Sequence, residues 1–315
     1  EQAEQADVIV LNSCVVRQAA EDKVVGMLTS LKPLKGKGSD RIIALMGCMV
    51  GPKTDALHAR FPYVDVFMRP QEYKPLLQVL GDRLGVDAEG CLSTLTPPNA
   101  SVTAYIPIIH GCDKFCTFCI IPYRRGREVS RLLEDIVREA ELLSARGVKE
   151  VTLLGQNVDS YGHDLPGTPD LADLLAAVHR VDGLSRIRFL TSHPNDMSQR
   201  IIDAVANLDK VCEHFNLPFQ AGDDDVLQVM RRGYTRDDYR RLVEHIRRDV
   251  PGVSLATDII VGFPGETEAA FQRTLDLVRE VEFDKVHVAA YSTRPGTIAS
   301  RMIEDNVPRE EKKRR

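Results

Sequence analysis

The sequence predicts an α/β protein of two domains, a small parallel α/β domain followed by a partial (β/α)6 TIM-like barrel. Apolar segments of strand length alternate with amphipathic segments of helix length along most of the 315 residues. This alternation is typical of parallel sheets with crossover helices. Several strand segments are continuously apolar, as expected of strands buried on both faces. An aperiodic segment containing Pro97-Pro98-Asn99 separates the two series of elements and predicts the domain boundary.

The first domain, predicted over residues 1–95, alternates three strands with three helices. The strands are predicted at Asp7–Asn12, Arg41–Met46 and Val64–Met68, and the helices at Ala19–Leu31, Lys53–Arg60 and Tyr73–Leu84. Cys14 and Cys48 follow the first two strands, so we expect both thiols at the sheet edge where open α/β sheets bind ligands. From the residues alone, half of a metal site and a pair of buried core residues both remain open, the second being commoner for free cysteine.

The second domain, predicted over residues 96–308, repeats a strand and a helix around a barrel. Strands are predicted at Tyr105–Ile109, Glu150–Leu154, Arg186–Thr191, His214–Pro218, Ser254–Val261 and Lys285–Tyr291. Helices are predicted at Arg131–Arg146, Leu171–Val181, Gln199–Asn207, Asp238–Val250 and Glu268–Glu280. The active site of such a barrel lies at the carboxyl ends of its strands.

Three cysteines, Cys112, Cys116 and Cys119, follow the first barrel strand with the spacing C-x3-C-x2-C. Thiolates this close repel one another unless a soft metal centre lies among them. Iron–sulfur clusters commonly take four thiolates, so three would leave one iron free to bind a substrate. A zinc site completed by His110 or Cys91 is the alternative that the spacing leaves open.

Polar side chains follow the later barrel strands at the same predicted edge. They are Gln156, Asn157, Ser192, Gln220 and Asp258. Buried amide, hydroxyl and carboxylate groups need hydrogen-bond partners. Each residue alone is compatible with a turn or helix cap, but together they predict a small-molecule site.

Basic residues flank the cysteine motif and the fourth barrel strand. They are Arg124, Arg125, Arg127, Arg231 and Arg232. Such a concentration of charge suits a nucleic-acid backbone, and ion pairing with Glu128, Glu134 and Asp135 is the alternative. The basic run at 309–315 has no core-forming pattern and predicts a solvated end.

Composition restricts the class of protein. The formal net charge is −5, so any nucleic-acid contact must come from local basic patches. We expect no membrane span and no signal peptide. Seven cysteines, an odd number with three clustered, favour cofactor ligation in a reducing compartment over a disulfide framework, which indicates the cytoplasm.

Several motifs together resemble the methylthiotransferases of the radical S-adenosylmethionine (radical SAM) superfamily, and most of all those that act on bacterial tRNA. The matching segments are Ala6–Arg17, Gly47-Cys48, Gly111–Arg131, Leu154–Gly162, Ser192–Pro194, Leu217–Gln220, Met230–Thr235, Thr257–Glu268 and Tyr291–Thr297. The resemblance extends from about Ala6 to Pro308. It implies that residues 96–308 form the radical SAM core, within a partial (β/α)6 barrel.

The resemblance also implies the cofactors and their ligands. A 4Fe–4S cluster on Cys112, Cys116 and Cys119 would bind S-adenosylmethionine. Phe118 and Ile121 would flank the adenine, Gln156 and Asn157 would face the methionine part, and Ser192, Gln220 and Asp258 the ribose or the substrate. A second, auxiliary 4Fe–4S cluster takes three cysteines in the family. Cys14 and Cys48 match two of them, and the third belongs to an opening strand that this sequence lacks.

The implied reaction is sulfur insertion and methylation at carbon 2 of an N6-isopentenyl-type adenosine next to the anticodon. The implied partners are the tRNA anticodon stem-loop, an electron donor such as flavodoxin or ferredoxin, and an unidentified sulfur donor, with no membrane. The tail at 309–315 would lead into an absent C-terminal RNA-binding domain. Alternatives are action on threonylcarbamoyl-adenosine in tRNA, action on an aspartate of a ribosomal protein, and a non-catalytic zinc-bound RNA-binding scaffold.

Overall fold

The computed structural model describes residues 3–14, 18–36, 40–51, 53–70, 72–85 and 101–315. The chain divides into two compact units, one of residues 1–98 with 120–126 and one of residues 99–119 with 127–315. The predicted boundary between residues 95 and 96, together with Cys91, lies outside the described residues. No helix in the described ranges is both long enough and apolar enough to cross a membrane.

The described residues of the first unit form a parallel sheet and four α-helices. The strands are β1 (Val8–Ser13), β2 (Ile42–Gly47) and β3 (Val66–Met68), and the helices are α1 (Gln18–Leu31), α2 (Asp55–Arg60), α3 (Lys74–Leu84) and α4 (Ile121–Arg125). The strands lie in the order β1-β2-β3. The central strand β2 is buried along most of its length, as its continuous apolar sequence predicts. Leu28, Ile43, Leu45 and Phe61 form the core.

The second unit alternates strands and helices. Its strands are β4 (Thr103–Pro107), β5 (Ile109–His110), β6 (Val129–Ser130), β7 (Glu150–Leu154), β8 (Arg186–Leu190), β9 (His214–Asn216), β10 (Ser254–Val261) and β11 (Lys285–Ala290). Its helices are α5 (Leu133–Ala145), α6 (Leu171–His179), α7 (Gln199–Asn207), α8 (Asp224–Val229), α9 (Arg236–Asp249), α10 (Glu268–Val281), α11 (Ile298–Met302) and α12 (Arg309–Arg314).

Six parallel strands of this unit form an open barrel. The hydrogen-bonded orders are β4-β7-β8 and β9-β10-β11. A bridge between Ile187 and Val211, and a 3.0 Å hydrogen bond from the Ser192 N–H to the Asn216 carbonyl, connect β8 to β9. Within the described residues β4 and β11 do not pair with each other. The predicted α/β fold class and partial barrel are confirmed, and all six strand ends face one mouth.

Several elements differ from the sequence-based predictions, including the short helices α4 and α11, which were not predicted. The first barrel strand ends at Pro107, which has no N–H to donate, and the chain then forms the short antiparallel pair β5–β6. Helix α8, of six residues, was not predicted either. Its signal is the N-cap Asp223, whose side chain accepts the N–H of Val226.

The prediction of a solvated basic end at 309–315 is correct for Arg309, Lys313 and Arg314, which are exposed, and wrong for Lys312 and Arg315. The segment forms α12, and the side chains of Arg315 and its partner Glu266 are only 5% and 1% exposed, with 2.6 Å between Nη1 and Oε2. Lys312 pairs with Asp305 and lies over the ring of Tyr291. The side chains of Lys312 and Arg315 are buried and have carboxylate partners, which residue type alone does not reveal.

Candidate functional site

The three clustered cysteines lie on a loop between β5 and α4, at the carboxyl end of the first barrel strand. The loop contains two residues with positive φ, Gly111 and Phe115. Such backbone is strained for a residue with a side chain and is found mostly at functional sites. The Cys119 N–H donates to the Cys116 carbonyl over 3.0 Å, which closes a tight turn between two of the thiols.

Thr117 holds this loop against two other elements of the same unit. Its N–H donates to the Met230 carbonyl over 3.1 Å, and its carbonyl accepts the Ala299 N–H over 2.8 Å. The Thr117 hydroxyl donates to the Val229 carbonyl over 2.9 Å. Thr117 is 3% exposed and Cys116 is 7% exposed. The cysteine loop is therefore held by backbone contacts that need no bound group.

The loop disfavours free thiolates. Burial raises the pKa of the Cys112 thiol to about 12. The Glu128 carboxylate and the other two thiols raise this pKa further, whereas a hydrogen bond from the Lys114 N–H lowers it. Thiolates here need compensating positive charge, which the irons of a cluster would supply. Three thiols on one loop are the donor type that iron–sulfur clusters take, and each thiolate of a 4Fe–4S cluster binds its own iron. The donor set fits such a cluster.

Arg232 contacts one of these thiols, which corrects its prediction as an RNA-binding residue. The guanidinium donates from Nη1 to Sγ of Cys116 over 3.3 Å, from Nη2 to the Pro218 carbonyl over 3.0 Å and from Nε to Oη of Tyr234 over 2.9 Å. Arg232 is 5% exposed. A buried guanidinium with these partners is not accessible to a phosphate backbone.

A buried carboxylate that sequence analysis missed organises the ends of β7 and β8. Asp159 accepts the Ser192 hydroxyl over 3.0 Å and the His193 N–H over 2.9 Å. Burial raises its pKa to about 7, even though both hydrogen bonds lower it. Ser192, predicted to face the ribose or substrate, thus donates its hydroxyl within the protein.

A second carboxylate connects the cysteine loop to the polar strand ends. Asp196 accepts from Nζ of Lys114 over 2.6 Å and from Nδ2 of Asn157 over 2.5 Å. Its two oxygens therefore join the cysteine loop and the segment after β7 to the segment after β8.

Several polar atoms at these strand ends are buried and lack a partner within the described residues. They are Oε1 of Gln156, Oδ1 of Asn157, Nε2 of His193 and Oδ1 of Asn216. Buried polar atoms are rarely left unpaired in folded proteins. Nδ1 of His193 accepts the Asn195 N–H over 3.3 Å, so Nε2 carries the proton of the neutral ring and is a donor. These donors and acceptors fit a polar small molecule such as S-adenosylmethionine.

Of the other predicted cofactor-binding residues, the structure brings two together, because the Gln220 N–H donates to the Asp258 carbonyl over 3.0 Å. Phe118 is half-buried and packs against a group of buried apolar side chains that includes Phe263 and Met230. Gln220 adopts a positive φ at the end of β9, and burial raises the pKa of Asp258 in β10. Ile121 begins α4 and belongs to the first unit.

In the first unit, Cys14 and Cys48 follow paired positions of neighbouring strands, because Ser13 pairs with Gly47. A Cβ on Gly47 would lie 2.4 Å from the Ser13 carbonyl oxygen, so only glycine permits this approach. Cys14 is exposed and Cys48 is buried. Nε of Arg125 donates to Sγ of Cys48 over 3.0 Å, and Arg125, predicted to bind RNA, turns towards this thiol.

The remaining basic residues keep surface positions. Arg127 is 77% exposed and pairs with Asp113, which is a different partner from those expected. Arg231 is exposed and borders a 520 Å³ cavity lined also by Asp224, Asp225 and Asp238. Arg124 is half-buried beside Gly51 in the first unit.

The sequence matches two protein families. The Radical SAM superfamily matches residues 106–278, and the Uncharacterized protein family UPF0004 matches residues 1–69. The first match contains the three-cysteine loop and the polar strand ends, and the second contains Cys14 and Cys48.

Relatives that match nearly the whole of this chain include proteins named tRNA-2-methylthio-N(6)-dimethylallyladenosine synthase. The protein of that name from Dehalococcoides mccartyi (strain CBDB1) is 50% identical over 315 residues, covering 100% of this chain and 73% of its own length. The one from Herpetosiphon aurantiacus is 50% identical over 303 residues, covering 96% of this chain and 69% of its own length. Dictyoglomus thermophilum has one that is 48% identical over 324 residues, with coverages of 100% and 73%.

Solved radical SAM enzymes share the fold at low identity. A radical S-adenosylmethionine methyltransferase from Kitasatospora setae, solved with cobalamin and a [4Fe-4S] cluster, has a TM-score of 0.69 at 16% identity, covering 93% of this chain and 66% of that one. A cobalamin-dependent S-adenosylmethionine radical enzyme has a TM-score of 0.59 at 11% identity, with coverages of 87% and 44%. At these identities the likeness concerns the fold alone.

Proposed function

This chain belongs to the family of tRNA-2-methylthio-N(6)-dimethylallyladenosine synthases within the radical SAM superfamily, and we propose that Cys112, Cys116 and Cys119 hold its catalytic 4Fe–4S cluster. The protein is a radical SAM methylthiotransferase, with a 4Fe–4S cluster and S-adenosylmethionine as cofactors and a second cluster of the kind that methylthiotransferases carry. Its reaction adds a methylthio group at carbon 2 of an N6-dimethylallyl-adenosine in tRNA. Action on threonylcarbamoyl-adenosine or a ribosomal protein, and the zinc scaffold, are not favoured.

The observation that carries the site assignment is a three-thiol loop held at the mouth of the barrel. The loop is fixed through Thr117 and through the ion pair between Lys114 and Asp196. When bound, the cluster and S-adenosylmethionine supply the electron transfer and the reactive species that the protein side chains lack. The chain itself supplies the ligands and their fixed positions.

The unpartnered polar atoms at the strand ends bind the zwitterionic and ribose parts of S-adenosylmethionine. The carbonyl oxygens of Gln156 and Asn157 accept hydrogen bonds from its amino or hydroxyl groups, and Nε2–H of His193 donates to an acceptor. Asp159 fixes this surface by holding Ser192 and the His193 backbone. Phe118, packed near Phe263, helps to exclude water from the mouth.

In the first unit, Cys14 and Cys48 act as ligands of the second cluster. Their adjacent positions at one sheet edge follow from the pairing of Ser13 with Gly47. Arg125 supports this role, because its guanidinium donates from Nε to Sγ of Cys48, as residues that surround a metal site do towards its ligands.

The nucleic-acid partner is the anticodon stem-loop of tRNA, whose target base must leave its stack to be modified. The phosphates of the stem-loop are contacted by Arg124, Arg127 and Arg231. Because the net charge of the chain is −5, attraction to RNA depends on such local basic groups. Replacing Arg127 with alanine should weaken stem-loop binding equally for all sequences. It should also reduce by about 1 the salt slope, which is the magnitude of the slope of the logarithm of the binding constant against the logarithm of the salt concentration. An unchanged salt slope would exclude Arg127 from the interface.

The remaining partners follow from the chemistry. A low-potential one-electron donor such as flavodoxin or ferredoxin reduces the cluster, and a sulfur donor completes the reaction. Both belong to a reducing compartment, the cytoplasm, which suits the free cysteines of the described residues.

The substrate assignment is tested with tRNAs that carry either N6-dimethylallyl-adenosine or threonylcarbamoyl-adenosine. The reconstituted protein is incubated anaerobically with each, and the digested nucleosides are analysed by mass spectrometry. We expect the mass of one methylthio group to be gained by the dimethylallyl nucleoside only. Gain on the threonylcarbamoyl nucleoside alone would contradict the assignment.

A further inference from the structure

Arg232 is buried beside a cluster ligand without a carboxylate partner. None of the ion pairs found in the described part of the chain includes Arg232, although it is only 5% exposed. Its partners are two neutral oxygens, the Pro218 carbonyl and the Tyr234 hydroxyl, and the sulfur of Cys116. A buried cation is costly unless an anion compensates it. The sulfur is the group of the three that becomes anionic when it ligates iron.

The position of Arg232 is fixed independently of any bound group. Its N–H donates to the Leu227 carbonyl over 3.0 Å, and its carbonyl accepts from Nδ2 of Asn195 over 2.9 Å. The Tyr234 hydroxyl, which accepts from Nε, itself donates to the Phe219 carbonyl over 2.9 Å. The guanidinium is therefore pre-oriented towards Cys116.

We propose that Arg232 is a positioning residue that raises the reduction potential of the 4Fe–4S cluster through its N–H donation to Cys116. A hydrogen bond to a ligating sulfur and a nearby buried positive charge both stabilise the state with one more electron. The low dielectric of a buried site strengthens the effect. In the step concerned, the cluster gains one electron from a one-electron reductant, and no bond to Cys116 forms or breaks.

This inference rests on the proposed function, because it needs a cluster on Cys116. Its test uses the chain with Cys14 and Cys48 replaced by alanine, so that only the three-cysteine loop can carry a cluster. Iron and sulfide are measured after anaerobic reconstitution, and the reduction potential is then measured by titration with titanium(III) citrate followed by electron paramagnetic resonance. Absence of iron in this parent chain would contradict the proposed function rather than the role of Arg232.

The decisive variant is Arg232→Met, with Arg232→Lys as the variant that keeps the charge. We expect Arg232→Met to keep its iron while the equilibrium constant for one-electron reduction falls about tenfold, which corresponds to a potential about 59 mV lower. Arg232→Lys should recover part of this loss. One control should leave the potential unchanged: Arg231→Met removes an adjacent exposed charge.

Two results would overturn the proposal. One is an Arg232→Met variant with full iron and the potential of the parent chain. The other is an Arg231→Met variant whose reduction potential falls as much as that of Arg232→Met, because the effect would then come from the overall charge of the protein and not from the donor to Cys116. If Arg232→Met does not fold or takes up no iron, Arg232→Gln replaces it. A folded Arg232→Gln variant without iron would show a role in assembly only and would also overturn the proposal.

Discussion

Nζ of Lys114 lies 2.6 Å from Oδ1 of Asp196, so one ion pair connects the cysteine loop to the segment that follows β8. The other oxygen of Asp196 accepts from Asn157, after β7. One carboxylate thus connects the loop of the proposed cluster ligands to the segment that carries the polar atoms proposed to face S-adenosylmethionine. Sites that need such precision depend on the residues that support them.

Replacing Lys114 with methionine should weaken S-adenosylmethionine binding by about tenfold, or about 1.4 kcal/mol. The pair is largely buried, with side chains 26% and 14% exposed. Its loss frees the cysteine loop and leaves Asp196 with one fewer donor. Equilibrium binding to the reconstituted protein measures the effect. Arg200→Met, which removes a surface ion pair with Asp173, is the matched control, and equal affinities in both variants would contradict the role of Lys114.

The buried carboxylate of Asp159 should make stability depend on pH. Burial raises its pKa from the ordinary 3.8 to about 7, so between roughly pH 4 and pH 7 the folded state binds a proton that the unfolded chain has lost. The free energy of unfolding therefore falls as pH rises through this range. The full cost above pH 7 is of the order of 4 kcal/mol, at about 1.36 kcal/mol per pKa unit.

Asp159→Asn removes this titration. Relative to the unchanged chain, its free energy of unfolding should increase as pH rises from about 4 to about 7, as measured by denaturant unfolding at several pH values. Asp276→Asn, at a half-exposed carboxylate on α10, serves as the control. Parallel pH profiles for Asp159→Asn and the unchanged chain would show that Asp159 does not titrate in this range.

The ion pair between Glu266 and Arg315 should stabilise the attachment of α12. Arg315→Met leaves the Glu266 carboxylate buried with only the Gly262 N–H among its present donors. Breaking one side of a buried pair costs about 3–5 kcal/mol. The double variant with Glu266→Gln should lose less, and Lys313→Met, which removes an exposed pair in the same helix, should lose little. Denaturant unfolding of the three variants checks this order, and equal losses would contradict it.

Substitutions in the two groups of cysteines should affect two different stages of the reaction. Cys14→Ala should keep S-adenosylmethionine cleavage and stop sulfur insertion, because Cys14 belongs to the first unit and is proposed as a ligand of the second cluster only. Production of 5′-deoxyadenosine and of the methylthiolated nucleoside are measured in parallel. Loss of 5′-deoxyadenosine in this variant would remove the distinction between the two sites.

Sequence patterns predicted the elements that repeat and the ligands that cluster along the chain. The strand-and-helix alternation gives the barrel order because each strand is apolar and each helix amphipathic. Cys112, Cys116 and Cys119 are visible as a motif because one loop carries all three. Their position after the first barrel strand then follows from the fold class.

What the sequence did not predict depends on partners distant along the chain. Asp159 resembles an ordinary turn residue, and its role appears only where the His193 N–H meets it 34 residues later. Arg232 belongs to a basic pair typical of a surface, yet its partner Cys116 is 116 residues away. Arg315 was expected in solvent for the same reason. Charge alone does not distinguish a solvated group from one paired in the interior.

The most direct test of the account is to measure iron, sulfide and 5′-deoxyadenosine for the unchanged chain and for Cys116→Ala after anaerobic reconstitution. We expect at least about four irons per chain and 5′-deoxyadenosine under reducing conditions, with production abolished by Cys116→Ala. Zinc in place of iron, or undiminished 5′-deoxyadenosine from Cys116→Ala, would contradict the assignment of the three-cysteine loop as the catalytic cluster site.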